Sequence, residues 1–300
     1  MGKHHQQSAK FLLVIIGIFS FFSMQAQIPA GYKAGYVKWQ KQRVAELLAP
    51  DGWVNLVGLF WLEPGKNTFG SDKQNQLVYD NAKMPVHAGH FIVSGETVTW
   101  VSAPGITVTA HQKKADSLVI FEKGKPATEL SLGTLRWTII QREDKLGIRL
   151  RDLASPALKT FAGIHYFPLD LKWRVQAHLE NDKSSNLQIT NVLGQTMAVP
   201  SPGKLVFTLN DTEYRLDVLN EGDQLFIVFG DATSGKESYA AGRFLYTNQP
   251  DKDGNTMLDF NKAHNPPCAF THFATCPLPP RQNILPIAIT AGEKDYPETK

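Results

Sequence analysis

The feature that most constrains this chain is a long series of short runs rich in β-branched and aromatic residues, punctuated by glycine and proline. Such runs have the length and alternation of half-buried β-strands. They cover residues 97–101, 106–109, 117–121, 136–140, 173–179, 204–209, 213–218 and 225–229. The last run is apolar throughout, which is typical of a central strand covered on both faces. The sequence therefore predicts a mainly β protein.

One short helix is predicted before the strands. Val37, Gln40, Val44, Leu47 and Leu48 fall near helical spacing, and a Pro-Asp-Gly turn shortly after them ends the pattern. The chain of 300 residues is longer than the roughly 100–150 typical of one domain. Because no long linker divides it, we expect two β domains packed directly together.

The predicted domains are a signal peptide at 1–26, a helical segment at 27–52, a first β domain at 53–154 and a second β domain at 155–300. The signal is indicated by a weakly basic start, an apolar run at 11–22 and the small residue Ala26. The run is shorter than the about 20 residues of a membrane span, which favours a cleaved signal over an uncleaved anchor. No later stretch is apolar enough to span a bilayer. We therefore expect an exported protein, periplasmic or secreted, with no membrane span after signal removal.

The charge balance argues against one class of partner. The formal net charge of +3 includes Lys3 and Lys10 of the signal, and without them 29 basic residues face 28 acidic ones. A nearly neutral chain has no field that would attract nucleic acid. The phosphate-binding, dinucleotide-binding and zinc-protease motifs are also missing from the sequence. We expect no nucleic-acid partner and no cofactor.

Several short motifs carry a family resemblance. They are GLFWL at 58–62, FGS at 69–71, RLRD at 149–152, FAGI at 161–164, DATSG at 231–235, AGRFL at 241–245, NKAHNPPCAF at 261–270, TCPLPP at 275–280 and AGEK at 291–294. With them the mature chain, over nearly its whole length, resembles the bacterial domain-of-unknown-function family 1684. The resemblance implies no established activity. It leads us to expect aromatic residues where this sequence has His264 and His272.

A weaker resemblance covers the first β domain. GKNTFGS at 65–71, VHAGHF at 86–91 and LGTL at 132–135 follow the order of motifs in forkhead-associated domains. This resemblance implies a forkhead-associated-like β sandwich, packed here against a second β sandwich or barrel. The phosphothreonine-binding residues do not carry over, because Ser71 replaces the phosphate-binding arginine and His87 replaces a serine. We therefore expect no phosphopeptide binding.

The cysteines Cys268 and Cys276 alternate with His264 and His272 at a spacing of four residues. In an exported protein a close cysteine pair indicates a disulfide, here with a modest stabilisation of about 2–3 kcal/mol because the loop is short. Two thiolates and two imidazoles are also a tetrahedral zinc set, but the prolines in this segment exclude the continuous helix that would align them. We predict the disulfide, with zinc or free thiols as the alternatives.

A polar cluster follows the apolar run at 225–229 and defines a candidate pocket in the second β domain. Its residues are Asp231, Thr233, Tyr239, Arg243, Asp259, Asn261 and His264, with Ser234 in the same turn. An Asp–Arg pair suits an anionic or hydroxyl-rich ligand, and an Asp–His pair suits acid–base chemistry. The same side chains also suit turn capping and a structural ion pair.

Two functions from different classes follow. The first is a non-catalytic envelope or secreted protein that binds a small molecule, a glycan or a protein partner. The alternative is an exported hydrolase that uses Asp231, Asp259 and His264, with Arg243 as the anion anchor. The sequence favours the first because it contains no nucleophile motif. It leaves open whether the protein is an enzyme.

Overall fold

The computed structural model describes residues 28–182 and 186–297, so the predicted signal peptide lies outside the described residues. The described chain is mainly β, as predicted, and begins with the helix α1 (Ala30–Leu48). Within these ranges no helix is long and apolar enough to cross a membrane.

The helix α1 packs against the rest of the protein along one stripe. Tyr32, Trp39, Arg43 and Leu47 follow one another at helical spacing and are buried or half-buried. Val37, which the apolar pattern assigned to this face, is 40% exposed. The packed face of α1 therefore combines aromatic and basic side chains with aliphatic ones such as Leu47.

The first β unit is a sandwich. Its strands are β1 (Leu56–Trp61), β2 (Gly65–Gly70), β3 (Leu77–Val78), β4 (Gly89–Ser94), β5 (Thr97–Ser102), β6 (Thr109–Ala110), β7 (Lys113–Lys114), β8 (Ser117–Glu122), β9 (Leu130–Leu132), β10 (Leu135–Arg142) and β11 (Lys145–Asp152). They form two sheets, β1-β11-β10-β9-β6-β7 and β3-β2-β4-β5-β8, around a shared apolar core. Trp100 lies at its centre, with its ring centroid 4.8 Å from Phe91 and 5.5 Å from Trp137.

The strand predicted at 106–109 is wrong for most of its length. Only Thr109 lies in a strand, β6, while 106–108 run as irregular backbone after the turn at Pro104 and Gly105. The apolar side chains of this segment are nevertheless used, since Val108 is fully buried. The apolar pattern at 106–109 therefore reflects burial in the sandwich core and not pairing with a neighbouring strand.

The second β unit is a six-stranded sheet that curls towards closure. The elements are α2 (Pro156–Thr160), β12 (Arg174–Asn181), β13 (Asn186–Thr190), β14 (Thr196–Pro200), β15 (Gly203–Leu209), β16 (Thr212–Glu221), β17 (Gln224–Phe229), β18 (Arg243–Asn248), β19 (Asn255–Asp259) and 3-10 turns at Leu171–Trp173, Phe260–Lys262, Pro267–Ala269 and Arg281–Asn283. The sheet order is β18-β17-β16-β15-β12-β19, and β13-β14 is a separate hairpin. The edge strands meet where the Thr247 hydroxyl donates to the Met257 carbonyl and the Thr256 hydroxyl donates to the Asn248 carbonyl, each at 2.9 Å.

Strand β17 is covered on both faces, as its apolar run predicted. Leu225, Ile227 and Phe229 belong to the core enclosed by the curled sheet, while Phe226 and Val228 pack outside it against the loop that carries the cysteines. That loop also contacts the first β unit. The side chains of Thr271 and Thr275 make hydrogen bonds of 3.1 Å to the β1 backbone and to the β10 arginine.

Candidate functional site

The polar cluster predicted from the sequence divides into two groups. Asp231, Thr233 and Arg243 form one buried network at the ends of β17 and β18. Asp259 and Asn261 form another hydrogen-bonded group where β19 ends. The single pocket expected to contain all of them is therefore not present among the described residues.

The first group is an enclosed ion pair. Nη2 of Arg243 lies 2.7 Å from Oδ2 of Asp231, and both side chains are completely inaccessible to solvent. Oδ1 of Asp231 accepts bonds from the Thr233 hydroxyl at 2.6 Å and from the Thr233 N–H at 2.8 Å. Arg243 also donates to the carbonyls of Ile289, at 2.9 Å, and Ala291. The network fastens the C-terminal segment to the sheet.

Tyr239 lies in the turn between β17 and β18. Its side chain is half-buried, and its carbonyl accepts a bond of 3.1 Å from the Gly242 N–H. Tyr239 is not among the residues that line the cavity next to Asp259.

Part of the second group faces a cavity of about 380 Å³ beneath α1, which we call the aromatic cavity. Asp259 and His264 line it from the second β unit, together with Tyr32 and Trp39 from α1 and Tyr246 from β18. The α1 residues lie outside the domain in which the pocket was predicted. The cavity exists only because the helix packs across the end of the sheet.

The carboxylate of Asp259 is fixed rather than free. The Tyr32 hydroxyl lies 2.9 Å from both carboxylate oxygens, and Nδ2 of Asn261 donates to Oδ1 at 3.1 Å. Burial, reinforced by the negative charge of Asp259, raises the pKa of Tyr32 well above its usual range. Tyr32 therefore stays protonated and keeps the carboxylate in one orientation.

His264 is a neutral wall of the cavity. Burial and the nearby Arg43 guanidinium lower the pKa of His264 to about 3, against a weaker opposing effect from the Lys262 carbonyl. Nδ1 lies 3.2 Å from that carbonyl and must carry the proton, because a carbonyl only accepts. Nε2 is then an acceptor. The ring stacks on Tyr246 with centroids 5.8 Å apart and planes 10° apart.

A second cavity of about 460 Å³ shares Tyr246 and His264 with the first, and we call it the arginine cleft. It lies between the two β units and α1. Arg142, Arg149 and Trp53 line it from the first half of the chain, and Arg43 lines it from α1. Strand alternation explains why Arg149 lies on the outer face of β11, since its neighbours Ile148 and Leu150 point into the sandwich core.

Two of the cleft arginines have no carboxylate within 4.0 Å among the described residues. Nε of Arg142 donates to the Thr275 hydroxyl at 3.1 Å, whereas the buried Nε of Arg149 has no hydrogen-bond partner. The Arg149 guanidinium lies 4.8 Å from the Trp53 ring. Burial, together with the charges of Arg142 and Arg151, lowers the pKa of Arg149 to about 10, so it remains protonated at neutral pH.

Acidic groups are also present in the cleft wall, but none lies within 4.0 Å of these two arginines. Glu46 accepts a bond from Gln42, and Glu221 accepts one of 3.2 Å from the Tyr246 hydroxyl. Arg43 is different from the other two, because its Nε pairs at 3.0 Å with the fully buried carboxylate of Glu293. That pair holds α1 over the cleft.

The cysteines are free thiols in the structure, yet they face one another. The Cys268 N–H donates to the Cys276 sulfur at 3.1 Å, and the Cys276 N–H donates to the Cys268 sulfur at 3.4 Å. A thiol–thiol hydrogen bond lowers the pKa of Cys268 and raises that of Cys276. The disulfide therefore stays a prediction.

The alternative zinc site does not form. Within residues 28–182 and 186–297, no three histidine, cysteine, aspartate or glutamate side chains are grouped so that they could bind a metal. His264 is instead engaged with aromatic rings and with the Lys262 carbonyl. In the described part of the chain the four side chains are therefore not grouped as a metal site.

Comparison with known proteins confirms the family. Residues 159–294 match the model of a family described as a protein of unknown function, DUF1684. The chain belongs to this family through its second half; the motifs upstream of 159 lie outside the matched residues. The forkhead-associated resemblance of the first half is not confirmed. No curated protein matches the chain. An uncharacterised protein of Haloarcula marismortui, solved by NMR, is 30% identical over 47% of this chain and 80% of its own, with a TM-score of 0.39.

The sequence interpretation missed Tyr246 within the second β unit and every cavity residue that comes from outside it. Tyr32, Trp39 and Arg43 are separated by seven and four positions, which places them on one helix face, and this aromatic and basic stripe was a usable signal. Arg142 and Arg149 gave no comparable signal. They are outward-facing positions of ordinary strands, and only packing against the cysteine loop encloses them.

Proposed function

We propose that this protein binds a small organic anion in the arginine cleft, as an exported, non-catalytic binding protein. The observation that carries the proposal is the pair Arg142 and Arg149, which line a solvent-open cleft without a carboxylate within 4.0 Å in the described part of the chain. A buried cation without a counter-charge is unfavourable unless something compensates it. An anionic ligand in the cleft would supply the missing counter-charge, and guanidinium groups bind carboxylates and phosphates through two parallel hydrogen bonds.

The cleft also suits an organic body attached to the anion. Trp53, Phe226, Phe244 and Tyr246 provide aromatic walls, and the volume of about 460 Å³ is within the range of small-molecule sites, about 300–1,000 Å³. The hydrolase alternative receives less support. Arg243 and Asp231 are sealed in their ion pair and cannot act on a ligand together with Asp259 and His264.

A binding measurement tests the proposal. Titration calorimetry with phosphate and with benzoate should show saturable binding to the wild type and at least a tenfold loss of affinity in Arg149→Met. The matched control is Arg215→Met, since Arg215 is a half-exposed strand arginine paired with Glu213 on the surface. Absence of binding by any small anion, or equal loss in both variants, would contradict the proposal.

Arg149→Met should weaken anion binding but increase the stability of the protein. Because Arg149 is half-buried and its buried Nε is unpartnered, replacing it by an apolar side chain of similar length should raise the free energy of unfolding by about 1–2 kcal/mol. Chemical denaturation measures this. Increased stability together with lost binding is the combination expected of a ligand site rather than of a structural arginine.

A further inference from the structure

The aromatic cavity and the arginine cleft are neighbouring cavities beneath α1. They share Tyr246 and His264, and their helix residues follow one stripe from Trp39 in the cavity to Arg43 in the cleft. Four residues along a helix correspond to about 6 Å. Because Tyr246 and His264 line both cavities, a ligand that reaches these two side chains from the arginine cleft also lies next to the aromatic cavity.

The aromatic cavity combines flat rings with many hydrogen-bonding groups. Trp39, which stacks on Tyr36, and the edge of Tyr246, which stacks on both Phe226 and His264, line the cavity. The side-chain amides of Gln224 and Asn248 line it as well. Neither amide makes a side-chain hydrogen bond to another described residue. Nε2 of His264 adds an acceptor, because its ring proton is used at Nδ1. Amphipathic rings beside fixed polar groups are suited to ligands that carry both an apolar face and several hydroxyls.

The charges of the cavity fit a hydroxylated ring better than a second strong anion or a cation. The Asp259 carboxylate is held by Tyr32 and Asn261, and it opposes further negative charge at that end. Arg174, which stacks on Tyr32 at 5.3 Å, and Lys262 oppose positive charge. A neutral group that donates and accepts hydrogen bonds meets all of these side chains favourably.

We infer that the ligand of the arginine cleft extends past Tyr246 and His264 into the aromatic cavity and is an anionic sugar, a sugar phosphate or a sugar acid. Its charged group lies at Arg142 and Arg149, and its hydroxylated ring lies against Trp39 and the edge of Tyr246. This inference rests on the proposed function, because the arginine cleft supplies the anchor. It adds the chemical class of the ligand and a second set of residues that select it.

The test compares three kinds of probe by titration calorimetry on the mature full chain: inorganic phosphate, neutral methyl glycosides, and a panel of hexose phosphates and hexuronates. At least one charged sugar should bind tenfold or more tightly than phosphate, and the neutral glycosides should bind more weakly than that sugar. Phosphate binding with no charged sugar tighter than phosphate overturns this inference and leaves the proposed function standing. Binding of none of the anions overturns both.

Variants locate the ring. Trp39→Ala should remove the tenfold advantage of the charged sugar while leaving the affinity for phosphate unchanged. Val37→Ala is its control, since Val37 lies on the same helix and is 40% exposed. The double variant Gln224→Ala/Asn248→Ala changes the amide side chains of the cavity without disturbing the helix. It should lower the affinity for the charged sugar by at least threefold. Full retention of the advantage in both Trp39→Ala and the double variant would overturn the inference.

Discussion

Replacement of Arg243 by methionine should strongly destabilise the second β unit without affecting ligand binding. Arg243 is completely buried and pairs at 2.7 Å with the equally buried Asp231. Methionine preserves much of the volume and apolar contact with the flanking ring of Phe229 but removes the charge. Asp231 would then be a buried carboxylate that keeps bonds from Thr233 and Ile289 but has no counter-charge.

The magnitude follows from the cost of leaving one member of a buried pair alone. That cost is about 3–5 kcal/mol. At roughly 2–4 °C per kcal/mol for a protein of this size class, the melting temperature should fall by about 6–20 °C. The carbonyls of Ile289 and Ala291 lose their donors as well, so we expect the upper part of this range.

The assay is urea denaturation of Arg243→Met beside Arg215→Met. Arg215 also lies on a strand and pairs with carboxylates, but it is about half exposed, so its removal should cost at most about 1 kcal/mol. Asp231→Asn/Arg243→Met should be less destabilised than the sum of the two single variants, by about 0.5–3 kcal/mol. If Arg243→Met were as stable as Arg215→Met, or lost anion binding at full stability, a purely structural pair would be the wrong interpretation.

Three further predictions concern other parts of the chain. Folding lowers the pKa of His264 to about 3, so the protein has its full stability above the unfolded pKa near 6.5 and loses stability as the pH falls. Denaturation curves should show up to about 2 kcal/mol less free energy of unfolding at pH 5 than at pH 8, and His264→Phe should not show this difference. In exported protein Cys268 and Cys276 should be linked in non-reducing peptide maps, and two freely alkylated thiols would contradict this. Mass spectrometry of exported protein should find Gln27 at the N-terminus, whereas an intact N-terminus in the membrane fraction would show an uncleaved anchor.

Local pattern was sufficient for most of the secondary structure. The helix before residue 50 and the strands β5, β8, β10, β15 and β16 lie where alternation and turn residues predicted them. The reason is that period and turn chemistry are properties of neighbouring residues, and burial of one face reinforces them. The pattern failed at 106–108, where burial of Val108 occurs without a partner strand.

The polar residues illustrate what the sequence alone did and did not determine. It identified Asp231, Arg243, Asp259 and His264 as chemically exceptional, and it allowed for a structural Asp–Arg pair. It did not separate the enclosed pair from the two residues that line a cavity, because burial depends on which distant segment covers each strand end. The C-terminal segment covers Arg243, and α1 packs over Asp259.

The arginine cleft is formed by tertiary packing, and the sequence did not predict it. Alternation along β11 determines that Arg149 points away from the sandwich core, but it does not specify what packs on that outer face. Trp53, the cysteine loop and α1 each contribute one wall of the cleft. Each of them is about 100 or more residues away from Arg149 along the chain. Residues so distant in sequence leave no periodic trace, since their proximity is produced by the packing of the two β units and not by any local preference of the chain.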